Sequence, residues 1–125
     1  MIDAYDPFDL PDWLGTEQVC FATGTALRET PRVEGTLSAG SGQEITLDLL
    51  AVDAAYPAVV CPEKHRQAAH QAWQFGEVAL VEVGGRVAAA VPGTRFDEDL
   101  ACEVIRRVAK AVGATTDHFT VLLAL

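Results

Sequence analysis

The chain reads as one α+β domain, and three observations carry that reading. Two apolar runs, Val78 to Val83 and Arg86 to Val91, are separated only by Gly84-Gly85. Two glycines between β-forming runs mark a tight hairpin, because the turns that match strand twist need positive φ. Two stretches with helical periodicity, Pro62 to about Phe75 and Asp97 to Val112, are each closed by a glycine. The order is β-β-β-α-β-β-α-β, which predicts a mostly antiparallel sheet of five to six strands with both helices on one face.

The elements follow in chain order. Residues 1–14 place an aspartate at every third position (Asp3, Asp6, Asp9, Asp12) among Tyr5, Phe8, Leu10, Trp13 and Leu14, with Pro7 and Pro11 between them. The prolines forbid a long helix and make a poor strand, so an acidic-aromatic arm is predicted. Its apolar bulk exceeds that of a solvated tail, so the arm is read as a docking element with Trp13 buried. Glu17 to Leu27 is the first strand, and Arg28-Glu29-Thr30-Pro31 turns the chain. Arg32 to Ser38 alternates, with Val33 and Leu37 inward and Arg32, Glu34, Thr36 and Ser38 outward, as an edge strand with one wet face would. After Ala39-Gly40-Ser41-Gly42, Glu44 to about Asp53 is the third strand.

Pro62 opens the first helix, where no amide donor is needed, and Gly76 ends it; its apolar stripe is Ala68, Ala69, Ala72 and Trp73. The hairpin turn sets the register: Val83 pairs with Arg86, Glu82 with Val87, Val81 with Ala88, Leu80 with Ala89 and Ala79 with Ala90. In the second helix, acids crowd the start (Asp97, Glu98, Asp99) and bases the end (Arg106, Arg107, Lys110), matching the helix dipole. Leu100, Val104, Ile105, Val108 and Val112 form its buried stripe. His118 to Leu125 is almost wholly apolar and is predicted as a central strand. The last six elements match the ferredoxin-like pattern β-α-β-β-α-β, with the first two strands as an added hairpin. In the order of arm, three strands, helix, hairpin and helix, the chain also resembles the small acidic chaperones of bacterial secretion systems, and the resemblance implies a chaperone-like, protein-binding role.

Composition narrows the function. The 125 residues carry a formal charge of −9, which opposes a nucleic-acid backbone or an anionic membrane surface as partner. Residues 1–60 hold ten acids and two bases, residues 61–125 eight and seven, so the acidity belongs to the front half. No apolar run approaches the ~20 residues of a membrane span, and the acidic start is unlike a signal peptide. Three widely spaced cysteines, Cys20, Cys61 and Cys102, fit reduced thiols. A cytoplasmic protein is expected.

Motifs for chemistry are sparse. Cys61-Pro62-Glu63-Lys64-His65 puts a thiol at a helix start with His65 one turn on, the pattern of an activated nucleophile and base. No third orienting group accompanies them, so the plainer reading is a boundary residue beside a solvated histidine. His65, His70 and His118 lack metal-ligand spacing, and the arm aspartates lack the layout of a calcium loop. No metal and no cofactor are expected. Asp48 and Asp53 read as exposed strand positions, and Trp73 as core rather than a stacking platform.

The accounting of surfaces remains. Both faces of the hairpin are apolar, whereas a solvated hairpin alternates. With both helices on one face, the other would present Ala79, Val81, Ala88, Ala90, Leu50 and Val52, an area rarely left in water. These residues, with Phe8 and Trp13 of the arm, form the expected interface, filled by the arm, by a second copy in a homodimer or by another protein. The expectation is a non-enzymatic interaction or chaperone-like module; the alternatives are a small-molecule-binding protein and a thiol-dependent enzyme using Cys61.

Overall fold

The computed structural model describes residues 2–27, 30–55 and 60–124. Among the described residues are nine strands and two α-helices: β1 (Ile2–Ala4), β2 (Val19–Thr23), β3 (Arg32–Val33), β4 (Gly35–Ala39), β5 (Glu44–Thr46), β6 (Asp48–Ala51), α1 (Glu63–Gln74), β7 (Ala79–Val83), β8 (Arg86–Val91), α2 (Glu98–Ala111) and β9 (Phe119–Leu122). The class is α+β, as the element order predicts. The strands form two sheets rather than one, in the orders β1-β7-β8-β6-β3 and β5-β4-β2-β9. Five of the seven pairings are antiparallel, and β6·β8 and β2·β9 are parallel.

The two sheets arise at one corner. Residues 32–39 and 44–51 make a single bent hairpin of constant register: Arg32 and Val33 face Leu50 and Leu49 in the five-stranded sheet, and Thr36, Leu37 and Ser38 face Thr46, Ile45 and Glu44 in the four-stranded one. At the bend Leu47 N–H donates to Gly35 O at 3.0 Å. A side chain on residue 35 would put its Cβ 2.5 Å from Leu47 O and 2.7 Å from the Phe21 ring, so the close approach requires glycine. Inward alternation runs unbroken through the corner, with Val33, Gly35, Leu37 and Ala39 all buried. For that reason residues 32–38 look like one edge strand in sequence, although β4 lies between β2 and β5. Part of the expected turn, Arg28 and Glu29, lies outside the described residues.

The last strand also departs from expectation. β9 is an edge strand paired in parallel with β2, not a central one. Phe119 and Val121 pack on the core while Leu122 is 58% exposed, so the apolar run covers one side only. Because β9 joins the other sheet, the single ferredoxin-like sheet does not form.

The Gly84-Gly85 hairpin has the predicted register at all five pairs, with φ of 58° and 77° at the two glycines. Both of its faces are covered. Leu80, Ala89 and Val91 enter the larger core with the four-stranded sheet and the α2 residues Ala101, Val104, Ile105 and Val108. Val81, Ala88 and Ala90, with Leu50 and Val52, enter a second cluster with Cys61 and Ala69, beneath α1. The helices therefore sit on opposite sides of the five-stranded sheet, and the face expected to be filled by the arm, a second copy or another protein is covered by α1 instead. The chain returns from α1 to the five-stranded sheet but from α2 to the other one, and this separates the helices. The inner residues of α1 are His65 and Ala69, while Ala68 faces solvent. Val81 is 2% exposed, so Val81→Asp is expected to cost about 3 kcal/mol by burying an unpaired charge. Thermal denaturation checks this, and an unchanged melting temperature would contradict the placement of α1.

The arm docks on its own chain. β1 adds to the edge of the five-stranded sheet, with Ile2 opposite Val83, before Pro7 ends the strand. Single turns of 3-10 helix follow at Pro7–Asp9 and Asp12–Gly15, the first capped by Asp6, whose carboxylate accepts Phe8 N–H at 2.9 Å. Leu10 and Leu14 are buried, Trp13 is half-buried against the core, and all four aspartates face water.

Candidate functional site

The arm and the C-terminal ends of α1 and α2 meet at one end of the molecule. Each helix stops at a glycine that adopts positive φ, Gly76 at 78° and Gly113 at 77°, which breaks the helical hydrogen-bond ladder. Arg107 fastens the two ends together. Its guanidinium lies 3.5 Å from the Trp73 ring centroid and donates to Trp73 O and Glu77 O at 2.9 Å each. It also pairs with Glu103 at 2.8 Å, which holds the Glu103 carboxyl below its ordinary range. On the other side the arm lies so close to the last turn of α2 that a Cβ on residue 15 would fall 2.5 Å from Val112 O, which only Gly15 permits.

This packing leaves two large aromatic side chains in water, Phe8 at 94% exposure and Phe75 at 70%. Two clefts adjoin there. One, of about 640 Å³, runs between Pro7, Phe8, Asp12 and the Val112-Gly113 end of α2. The other, of about 280 Å³, lies between Pro7, Phe75, Val78 and Lys110. They share Pro7 and Ala111, which join the Phe8 side of the apolar band to the Phe75 side, and Glu77, Arg107 and Lys110 also line the second cleft. On the arm side its surroundings are acidic. Asp6 and Asp9 flank Pro7 and Phe8, and Asp12 lines the larger cleft. Burial, and then the charges of Asp9 and Glu82, push the Tyr5 hydroxyl above its ordinary pKa.

Of the residues singled out in sequence, Phe8 lies on this band and Trp13, also in the arm, is half-buried against the core. Ala79, Val81, Ala88, Ala90, Leu50 and Val52 lie under α1, with Ala79 partly exposed. Cys61 and His65 are not brought together as nucleophile and base. The His65 ring N–H donates to Ile2 O at 3.1 Å, tying α1 to β1. Burial pushes the Cys61 thiol up; Arg66 pulls it down and Asp53 raises it, and the balance lies above the ordinary value. Cys102 is exposed, Cys20 half-buried and Cys61 buried. Alkylation is therefore expected to modify Cys102 first and Cys61 last. Mass-spectrometric timing of the three sites checks this, and early modification of Cys61 would revive the thiol chemistry.

Sequence reasoning missed Phe75, which falls off the apolar stripe just before Gly76, a position that a search for exposed aromatics at helix ends would flag. It also misread Asp48. That carboxylate is fully buried and bridges Arg32 and Arg86, each at 2.9 Å, and accepts Gly35 N–H at 3.1 Å. Burial pushes the Asp48 carboxyl up, but the hydrogen bonds from Arg86, Arg32 and Gly35 together outweigh it and hold it below the usual range. Asp53 is part-buried and joins α1 to the loop after β8 by accepting from the His70 ring at 3.0 Å and from Gly93 N–H at 2.8 Å. Among the described residues, no group of three His, Cys, Asp or Glu could hold a metal ion, and no helix is long and apolar enough to cross a membrane. Compared with protein-family models, with curated proteins and with solved structures, the chain matches none.

Proposed function

We propose that this protein is a non-enzymatic protein–protein interaction module of the cytoplasm, chaperone-like in the sense that it captures a segment of another polypeptide. The observation that supports this most is the pair Phe8 and Phe75, exposed on either side of Pro7 at an end that is otherwise firmly held. Single exposed apolar residues are ordinary, but two exposed aromatic rings on adjoining clefts are the composition of an interface core. The arm is pinned by β1, Leu10 and Leu14, so docking there orders little additional chain and loses little entropy. A small-molecule site would gather several polar groups within an enclosed cavity. Here both clefts lie open on the surface, with Asp12 and Thr16 the polar side chains of the larger and Glu77, Arg107 and Lys110 those of the smaller. The three free cysteines fit a reducing compartment.

A photo-reactive phenylalanine analogue at position 8 or 75 tests the reading in extracts of the source cells. Crosslinks to the same polypeptide from both positions, and none from the exposed Gln67 on α1, are expected. No crosslinked polypeptide, or the same products from position 67, would contradict it.

A further inference from the structure

We infer that the occupant of the Phe8–Phe75 band is a basic amphipathic segment of a partner protein, in which Lys or Arg residues alternate with large apolar ones; this rests on the docking surface proposed above. Three features of the site point to a cation among apolar anchors. Asp6, Asp9 and Asp12 are all exposed and flank or line the larger cleft, while Glu77, Arg107 and Lys110 line the second. Both helices direct their C-terminal ends here, which sets the negative ends of both helix dipoles beside the band. The last turn of α1 holds no basic residue of its own. Arg107 answers Trp73 O and Glu77 O and shares the Glu103 carboxylate with Arg106, so it keeps part of its positive charge; Asp6, Asp9, Asp12 and Glu77 still outnumber Arg107 and Lys110.

The same charges disfavour a second copy as occupant. A symmetric dimer through this band would set the three aspartates of one chain against those of the other, between molecules that each carry −9. A partner bearing opposite charge is steered toward the band, and its apolar residues then meet Phe8 and Phe75. The expected binding is therefore two-part: aromatic contacts hold the segment, and aspartates select its charge.

Fluorescence anisotropy with the full chain and three labelled peptides tests this. The peptides share one pattern of Leu and Phe and carry Lys, Gln or Glu at the intervening positions. The Lys peptide is expected to bind at least ~10-fold more tightly than the Gln peptide, and to weaken several-fold between about 50 and 300 mM salt. Asp6→Asn/Asp9→Asn/Asp12→Asn is expected to lower affinity for the Lys peptide about 10-fold, while Glu98→Gln/Asp99→Asn, exposed in the first turn of α2 at the other end of that helix from the clefts, leaves it within about 2-fold. Phe8→Ser/Phe75→Ser is expected to abolish binding of every peptide.

Equal affinity for the Lys and Gln peptides, with binding still lost in Phe8→Ser/Phe75→Ser, would overturn the basic partner and leave the docking surface standing. Lys-peptide binding that survives Phe8→Ser/Phe75→Ser would overturn the surface itself and reduce the effect to general attraction by an acidic protein. Concentration-dependent self-association that Phe8→Ser removes would make a second copy the occupant and overturn the inference.

Discussion

Asp48→Ala is expected to be among the most destabilising single substitutions in the chain, at about 3 kcal/mol, because it leaves two guanidinium groups, each 34% exposed, without their shared partner and a buried amide without its acceptor. The carboxylate uses both oxygens, one on Arg32 and Arg86 and the other on Arg86 and Gly35 N–H. Its loss therefore frees two charges and one buried amide at once. Arg32→Ala or Arg86→Ala alone is expected to cost less, since the remaining arginine still neutralises the carboxylate. The same contacts predict a pH dependence. Asp48 titrates lower in the folded protein than in the unfolded chain. Its contribution is thus complete above the unfolded carboxyl pKa of ~4 and is lost as pH falls through the folded value. Urea denaturation at neutral and acidic pH checks both statements. The gap between wild type and Asp48→Asn should shrink as the solution is acidified, and a pH-independent gap would contradict the ion-pair account.

Gly35→Ala is expected to cost about 3 kcal/mol or more, at the upper end for overpacking, because two of the neighbours a methyl group would strike are hard to move. Leu47 O is backbone inside the bent hairpin, and the Phe21 ring is fully buried in the core. Relief would require opening the corner where the chain passes from one sheet to the other, so the pairings β3·β6 and β4·β5 would weaken together. Thermal melting with circular dichroism reads the loss. Gly40→Ala, where a Cβ would meet no neighbour, is the matched control and should remain close to wild type.

These two positions also show what the sequence could and could not disclose. The Gly84-Gly85 hairpin and the limits of α2 are legible because their causes are local: two adjacent positive-φ glycines, an Asp97 side chain accepting Leu100 N–H at 2.8 Å, and a glycine after the last turn. The corner at Gly35 is not legible, since side chains alternate identically through a strand that changes sheets. Asp48 looked exposed because its partners lie 16 and 38 residues away, and pairing at that range leaves no trace in the local pattern. The polar residue inside α1 has the same origin: His65 is buried because β1, from the far end of the chain, offers it a carbonyl. The site was half legible. The arm's aromatic and acidic spacing marked it as a docking element, and Phe8 lies on the band. Phe75 and the helix ends joined it only through the fold.

Amide hydrogen exchange of the full chain, with and without a saturating basic amphipathic peptide, tests the docking surface most directly. Slower exchange confined to residues 5–16, 73–78 and 107–114 is the predicted result. Protection centred instead on β2 and β9, or no protection at a concentration where the peptide is bound, would contradict it.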